Sequence, residues 1–257
     1  MSGEFLISEL THDDQVARLT LDRPPLNVMT IEMMEEINEA LLSLRRQDGL
    51  KVLVLQGRGE AFCGGVDVRE HSRDRVNRML QVFHRIFETI RLLDVVSVAA
   101  VDGVATGSGF ELAIGCNMVV ASESARFVLP QVRQGIFPPV ASVILPRAAP
   151  RRKAMEWILL GDEITAQELA SYGLVNRVFP DGEFAEGLEQ VIARLTASSG
   201  PVLQIARRAQ TESYYATYEE ALYKVENLYL RDLMMLSDPH EGNAALLEKR
   251  TPQWRDG

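Results

Sequence analysis

Apolar and polar residues alternate along Ala17-Arg18-Leu19-Thr20-Leu21, and a shorter apolar run, Phe5-Leu6-Ile7, precedes them across the polar stretch Thr11-His12-Asp13-Asp14. A period of two marks a half-buried strand, so the pair predicts a β-hairpin. The pattern then changes. After Asp22-Arg23-Pro24-Pro25-Leu26-Asn27, a turn enforced by proline, Thr30 is placed to cap a helix running to Arg46, with Glu32, Glu35 and Glu36 near its positive end. Val52-Leu53-Val54-Leu55 is an unbroken apolar run of strand length, as a strand buried on both faces requires. Between Asp74 and Leu93 the apolar positions Val76, Met79, Leu80, Phe83, Phe87 and Ile90 recur at helical spacing. Val95 to Val101 is the next strand. A short helix begins at Phe110, and Val119-Val120 and Phe127-Val128-Leu129 read as further strands.

This order of elements predicts an α/β fold of ββα-type units stacked in layers, although no clear internal sequence repeat is visible. From Arg151 onward the pattern turns helical: Arg151 to Leu160, a capping-box spacing at Thr165-Ala166-Gln167-Glu168, then helices over 183–198, 201–213, 216–236 and 240–250. No linker rich in proline, glycine or serine divides the chain. The expected organisation is a core over residues 1–195 and a helical region over 196–257 that packs on the core or on a neighbouring subunit.

Composition narrows the class. With 257 residues and 46% apolar content the chain can bury a large core. A net charge of −9 argues against a nucleic-acid surface, which needs a basic face. Apolar stretches such as Val95–Val101 are far short of the roughly 20 residues that cross a bilayer, and the acidic N-terminus lacks a signal-peptide layout. Two cysteines, Cys63 and Cys116, suit a reducing compartment, and the four histidines do not form a ligand set, so no metal is expected. The expectation is a soluble cytoplasmic protein with no membrane or nucleic-acid partner.

The candidate chemistry lies in two glycine-rich loops, each following a strand: Ala61-Phe62-Cys63-Gly64-Gly65-Val66-Asp67 and Asp102-Gly103-Val104-Ala105-Thr106-Gly107-Ser108-Gly109-Phe110-Glu111. Glycine allows close approach of backbone N–H groups to a ligand, and a helix start adds unpaired donors. Two such loops can aim two N–H groups at one oxygen, as an oxyanion hole does, with Glu111 just beyond to move protons. The alternative for Glu111 is an ordinary surface residue in the first turn of a helix.

These loops, together with Leu21-Asp22-Arg23-Pro24 and Leu26-Asn27, Ala125-Arg126-Phe127 before Pro130, and Glu241-Gly242 with Glu248-Lys249-Arg250, resemble in order and over essentially the whole chain the crotonase (enoyl-CoA hydratase/isomerase) superfamily. Within it, Val66-Asp67-Val68-Arg69-Glu70-His71, the Gly135 to Ser142 segment and Leu228-Tyr229-Leu230 are most similar to cyclohexa-1,5-diene-1-carbonyl-CoA hydratases. The resemblance implies a spiral of ββα units with a C-terminal helical trimerisation region, assembled as a homotrimer or a dimer of trimers. It implies oxyanion donors at the Val66 and Ser108 N–H groups, and an acid/base role for Glu111. The second carboxylate position of the family is Gln131, counted with the catalytic residues because it can orient water or hydrogen-bond a substrate, although it cannot exchange a proton near neutral pH; a solvent-facing loop residue is the alternative for this position.

Coenzyme A would enter only as part of a thioester substrate, with no separate cofactor. The backbone around Cys63, Gly65 and Val66 is expected to meet the adenine, and Arg69 and Lys249, the latter from this chain or a neighbouring one, the phosphates. Asp67 and Val68 are expected among the substrate-binding residues, and His71 and the Phe137-Pro138-Pro139 loop, with the helix over 71–92, around the acyl group. The implied activity is hydration of a conjugated acyl-CoA, with a cyclic dienoyl-CoA as the narrower expectation. A double-bond isomerase, or a non-catalytic acyl-CoA-binding homologue, is the alternative.

Overall fold

The structure, a computed structural model, describes residues 3–214 and 216–256. The predicted hairpin forms from β1 (Leu6–Thr11) and β2 (Val16–Leu21), antiparallel with Leu6 opposite Leu21. The Thr30 hydroxyl accepts the Met33 N–H and caps α1 (Ile31–Leu44). That helix stops short of Arg46, because Gln47-Asp48-Gly49 supplies no apolar residue to continue its buried face.

Three ββα units follow. The first is β3 (Val52–Gly57), β4 (Ala61–Cys63), a 3-10 turn over Val68–His71 and α2 (Val76–Leu92). The second is β5 (Val96–Val101), β6 (Val104–Thr106) and α3 (Ser108–Ile114). The third is β7 (Met118–Ser122), β8 (Arg126–Val128), a 3-10 turn over Pro130–Gln134 and α4 (Ala141–Ala148). Then come α5 (Arg151–Leu160), β9 (Glu163–Thr165), α6 (Ala166–Ser171), β10 (Arg177–Phe179), α7 (Phe184–Thr196), α8 (Gly200–Ser213), α9 (Tyr218–Asn227) and α10 (Asp238–Glu248).

The long strand of each unit joins a six-stranded sheet of order β1-β2-β3-β5-β7-β10, parallel from β2 onward. The short strand joins a four-stranded sheet, β4-β6-β8-β9. Each unit therefore bends sharply between sheets, and successive bends stack closely. A Cβ on Gly103, at the β5–β6 bend with φ +77°, would lie 2.0 Å from the Glu60 carbonyl oxygen, so this bend admits only glycine. The unbroken apolar sequence of β3 has its reason in burial on both faces. Leu53 and Leu55 pack in the main core with Met34, Ile37, Phe83 and Ile86, whereas Val52 and Val54 join Val98 and Val120 against Phe184, Leu188 and Ile192 of α7.

Several elements depart from the sequence expectation. The strands β4, β6, β9 and β10 span three residues each, too few for alternation to register. Helix α4 escapes a periodic reading because Pro146 lies inside it. Helix α3 begins at Ser108 rather than Phe110, which places the second glycine loop directly at a helix start. At Thr165 the hydroxyl accepts the Glu168 N–H, but the Glu168 carboxylate turns to Lys153 and Trp157 instead of closing the box. The helix expected over 216–236 is α9, a π turn (Leu228–Asp232) and a 3-10 turn (Leu233–Met235), ended by the extended backbone of Leu236 before α10. Among the described residues no helix is long and apolar enough to cross a membrane.

Candidate active site

The two glycine loops converge. Met29 and Val66 form an isolated parallel bridge in which the Met29 N–H donates to the Gly65 carbonyl (2.7 Å) and the Asp67 N–H to the Met29 carbonyl (2.9 Å). Such a bridge uses the neighbours of Val66, so the N–H of Val66 itself points the other way. The second loop leaves β6 and enters α3 at Ser108, whose N–H belongs to the first turn and has no earlier carbonyl to bond. Gly65, with φ +92°, lets the loops touch: a Cβ there would lie 2.8 Å from the Thr106 carbonyl oxygen and 3.5 Å from the Ser108 nitrogen. Val66 and Ser108 border one cavity of about 570 Å³.

Glu111, one turn into α3, is fully buried and borders the same cavity, so it is not a surface residue. Its Oε1 accepts the backbone N–H groups of Val140 (2.7 Å) and Ala141 (2.9 Å) at the start of α4, and its Oε2 accepts the Ser108 hydroxyl at 3.2 Å. Burial pushes its pKa up to about 7, partly opposed by those three donors. The carboxyl group is thus half-ionised near neutrality, with Oε1 anchored by two backbone N–H groups and Oε2 bonded to the Ser108 hydroxyl alone. That suits proton transfer.

Gln131 also borders the cavity. It is 6% exposed rather than solvent-facing, and its Oε1 is buried with no hydrogen-bond partner. Its carboxamide lies against Gly107: a Cβ on that glycine would sit 3.3 Å from Gln131 Nε2. His71 lines the cavity too, and burial lowers its pKa below the ordinary imidazole value against the opposing field of Glu70. Helix α2 contributes an apolar wall through Val76, Met79, Leu80 and Phe83, and Phe137 and Pro139 close another side.

The structure does not bring every expected residue to the cavity. Among the described residues its lining includes Gly65, Asp67, Val68 and Phe137 but not Cys63, Arg69, Pro138 or Lys249. The Cys63 thiol is buried beneath loop one, donates to the Asn27 carbonyl at 3.2 Å, and is pushed up to about 12 by burial. The Arg69 side chain is exposed and forked onto Asp67, with Nε to Oδ1 at 3.0 Å and Nη2 to Oδ2 at 2.5 Å. These bonds hold Asp67 at a pKa of about 2. Lys249 is exposed at the left-handed C-terminus of α10.

Two contributors were given no role by sequence reasoning. The Val140 and Ala141 N–H groups are backbone and leave no residue signature, although prolines just before a helix start were a cue. Asn27, buried with φ +53°, donates from Nδ2 to the carbonyls of Ala61 (2.8 Å) and Arg58 (3.1 Å) and accepts the Arg23 N–H. It fastens the Pro24-Pro25 turn to β4, where loop one begins; the sequence marked this asparagine as the end of a turn and as part of the Leu26-Asn27 motif, with no role attached.

Comparison with known proteins gives a consistent answer. The sequence model described as enoyl-CoA hydratase/isomerase matches residues 11–257. The chain is 32% identical to the cyclohexa-1,5-dienecarbonyl-CoA hydratase of Thauera aromatica, covering 96% of this chain and 95% of that one. It is 30% identical to the 1,2-epoxyphenylacetyl-CoA isomerase of Escherichia coli K12, covering 98% of each. The crystal structure of an enoyl-CoA hydratase from Bacillus anthracis superposes with a TM-score of 0.93 at 26% identity, over 99% of this chain and 100% of that one.

Proposed function

Given that the chain belongs to the enoyl-CoA hydratase/isomerase family, we propose that it adds water to a conjugated acyl-CoA thioester, with a cyclic dienoyl-CoA as its substrate. In this reading the thioester carbonyl lies between the Val66 and Ser108 N–H groups. Attack of water at Cβ moves electron density onto that oxygen, and two preorganised donors stabilise it by about 3 kcal/mol or more. Glu111 exchanges the proton. The observation that carries the proposal is its carboxyl group: buried, anchored through Oε1 to α4, and balanced between charge states near pH 7 beside both donors.

The cyclic substrate is supported by the apolar wall of α2 and by likeness to the Thauera enzyme. In the same proposal the backbone of Cys63, Gly65 and Val66 meets the adenine, Arg69 exchanges Asp67 for a phosphate, and Lys249 supplies a second cation from this chain or a neighbour. Residues 1–195 form the catalytic core, and residues 196–257 mediate a homotrimer or dimer of trimers. The exposed Tyr218, Tyr223, Leu230, Met235, Leu246 and Leu247 support that last point, since such side chains are normally covered. The proposed compartment is the reducing cytoplasm, in keeping with the free thiols Cys63 and Cys116.

The test is loss of the absorbance of the conjugated thioester on mixing with enzyme, abolished in Glu111→Gln. A second reading, double-bond isomerisation, is favoured by one observation: with Gln131 at the second position and Asp67 held ionised by Arg69, Glu111 is the one lining carboxyl group balanced to exchange a proton near neutral pH, and one such group suffices to carry a proton between two carbons. Migration in a 3-enoyl-CoA, without hydration of cyclic dienoyl- or linear 2-enoyl-CoAs, would select it.

A further inference from the structure

Gln131 combines a rigid backbone with an unused side chain. It lies in the 3-10 turn Pro130–Gln134, and its own carbonyl accepts the N–H groups of Gly135 and Ile136, the latter at 3.0 Å. Its carboxamide, in contrast, has a buried oxygen with no partner, against Gly107 and on the cavity wall. Buried polar groups without partners are rare and mark places where a ligand or water completes the bonding. The neighbouring acid/base group is equally constrained. Glu111 Oε1 is held by two N–H groups of α4, so only Oε2, bonded to the Ser108 hydroxyl, can take or give a proton toward the cavity.

We infer that Gln131 is a positioning residue for the reacting oxygen, holding water in hydration and the β-hydroxyl group in the reverse reaction, while Glu111 Oε2 performs both proton transfers. The inference rests on the hydratase reading above. A hydroxyl group both donates and accepts, and so matches the carboxamide, which cannot itself titrate. The step balances within the site. The water oxygen forms the bond to Cβ, its O–H bond breaks, and the proton passes to Oε2. The carbon–carbon π pair moves through Cα onto the thioester oxygen. As the enolate collapses, Cα takes the proton from Oε2, and Glu111 is again a carboxylate. One oxygen thus delivers to carbon the proton it took from water, so hydrogen and hydroxyl add to the same face.

Gln131→Met keeps the side-chain length and removes the polar atoms. We expect kcat to fall at least tenfold, KM for the thioester to change less than threefold, and the melting temperature to stay level or rise, because an unpartnered buried group has gone. Unchanged kcat would overturn the inference. Gln131→Glu introduces a second titrating group at the reacting oxygen, so its kcat/KM should acquire an additional ionisation absent from wild type; a superimposable pH profile would overturn it as well. Hydration in D2O should place deuterium at Cα on the face that receives the oxygen, and addition to opposite faces would exclude a single proton carrier. Failure of the underlying reading is separately visible: wild type would then hydrate no enoyl-CoA, whatever stands at residue 131.

Discussion

Replacing Glu111 with glutamine tests the physical basis of the site without a substrate. The folded protein raises this carboxyl from 4.5 to about 7, chiefly because burial penalises the anion. Between those two pH values the native state binds a proton that the unfolded chain releases. Stability therefore falls as pH rises through that window, and the contribution is level below 4.5 and above about 7. At about 1.4 kcal/mol for each pH unit, the whole effect is about 3 kcal/mol. The carboxamide introduced by Glu111→Gln would keep an oxygen for the Val140 and Ala141 N–H groups but would not ionise.

The variant should therefore gain on wild type as pH increases, by about 3 kcal/mol between pH 4.5 and pH 8. For a chain of this size that corresponds to roughly 6–12 °C in melting temperature. The assay is thermal unfolding of both proteins at one concentration, across that pH range. A difference independent of pH, or one that moves against the variant as pH rises, would refute the reasoning that burial controls this group. In the proposed reaction the carboxylate accepts the first proton, so kcat/KM of wild type should climb to a plateau above pH 7, and lie about tenfold lower one unit below the pKa.

Two structural positions offer further checks. Gly65→Ala puts a methyl group 2.8 Å from the Thr106 carbonyl oxygen at a φ of +92°, which must push the two loops apart. Its kcat should fall by about 10²–10³, the effect of losing one oxyanion donor, while circular dichroism still reports a folded chain; undiminished kcat would separate Gly65 from the chemistry. Asn27→Ala strips the carbonyls of Ala61 and Arg58 of a buried donor and leaves alanine in a left-handed conformation. The expected cost is about 2–4 kcal/mol by urea unfolding, with Asn27→Gly about 1 kcal/mol less severe because glycine accepts that conformation.

Much of the frame was legible along the chain. The hairpin, the Thr30 cap, the amphipathic α2 and the doubly buried β3 all follow from patterns spanning a few residues, because local geometry dictates which side chains share a face. The same patterns carried the two glycine loops and Glu111. The short strands β4, β6 and β9 of the second sheet were silent, since three residues hold no period, and the broken segment over 216–236 read as one helix because its composition is uniformly helical. Arg69 matched a family position for phosphate contact, yet in the folded chain it is forked onto Asp67. Tertiary structure alone decided that Glu111 is anchored by α4, that Asn27 ties the proline turn to β4, and that Gln131 is buried with its oxygen unpartnered. Burial and hydrogen bonding of these groups depend on atoms contributed by segments distant in sequence. Periodicity records which face of an element is covered, but not which polar atoms meet beneath it.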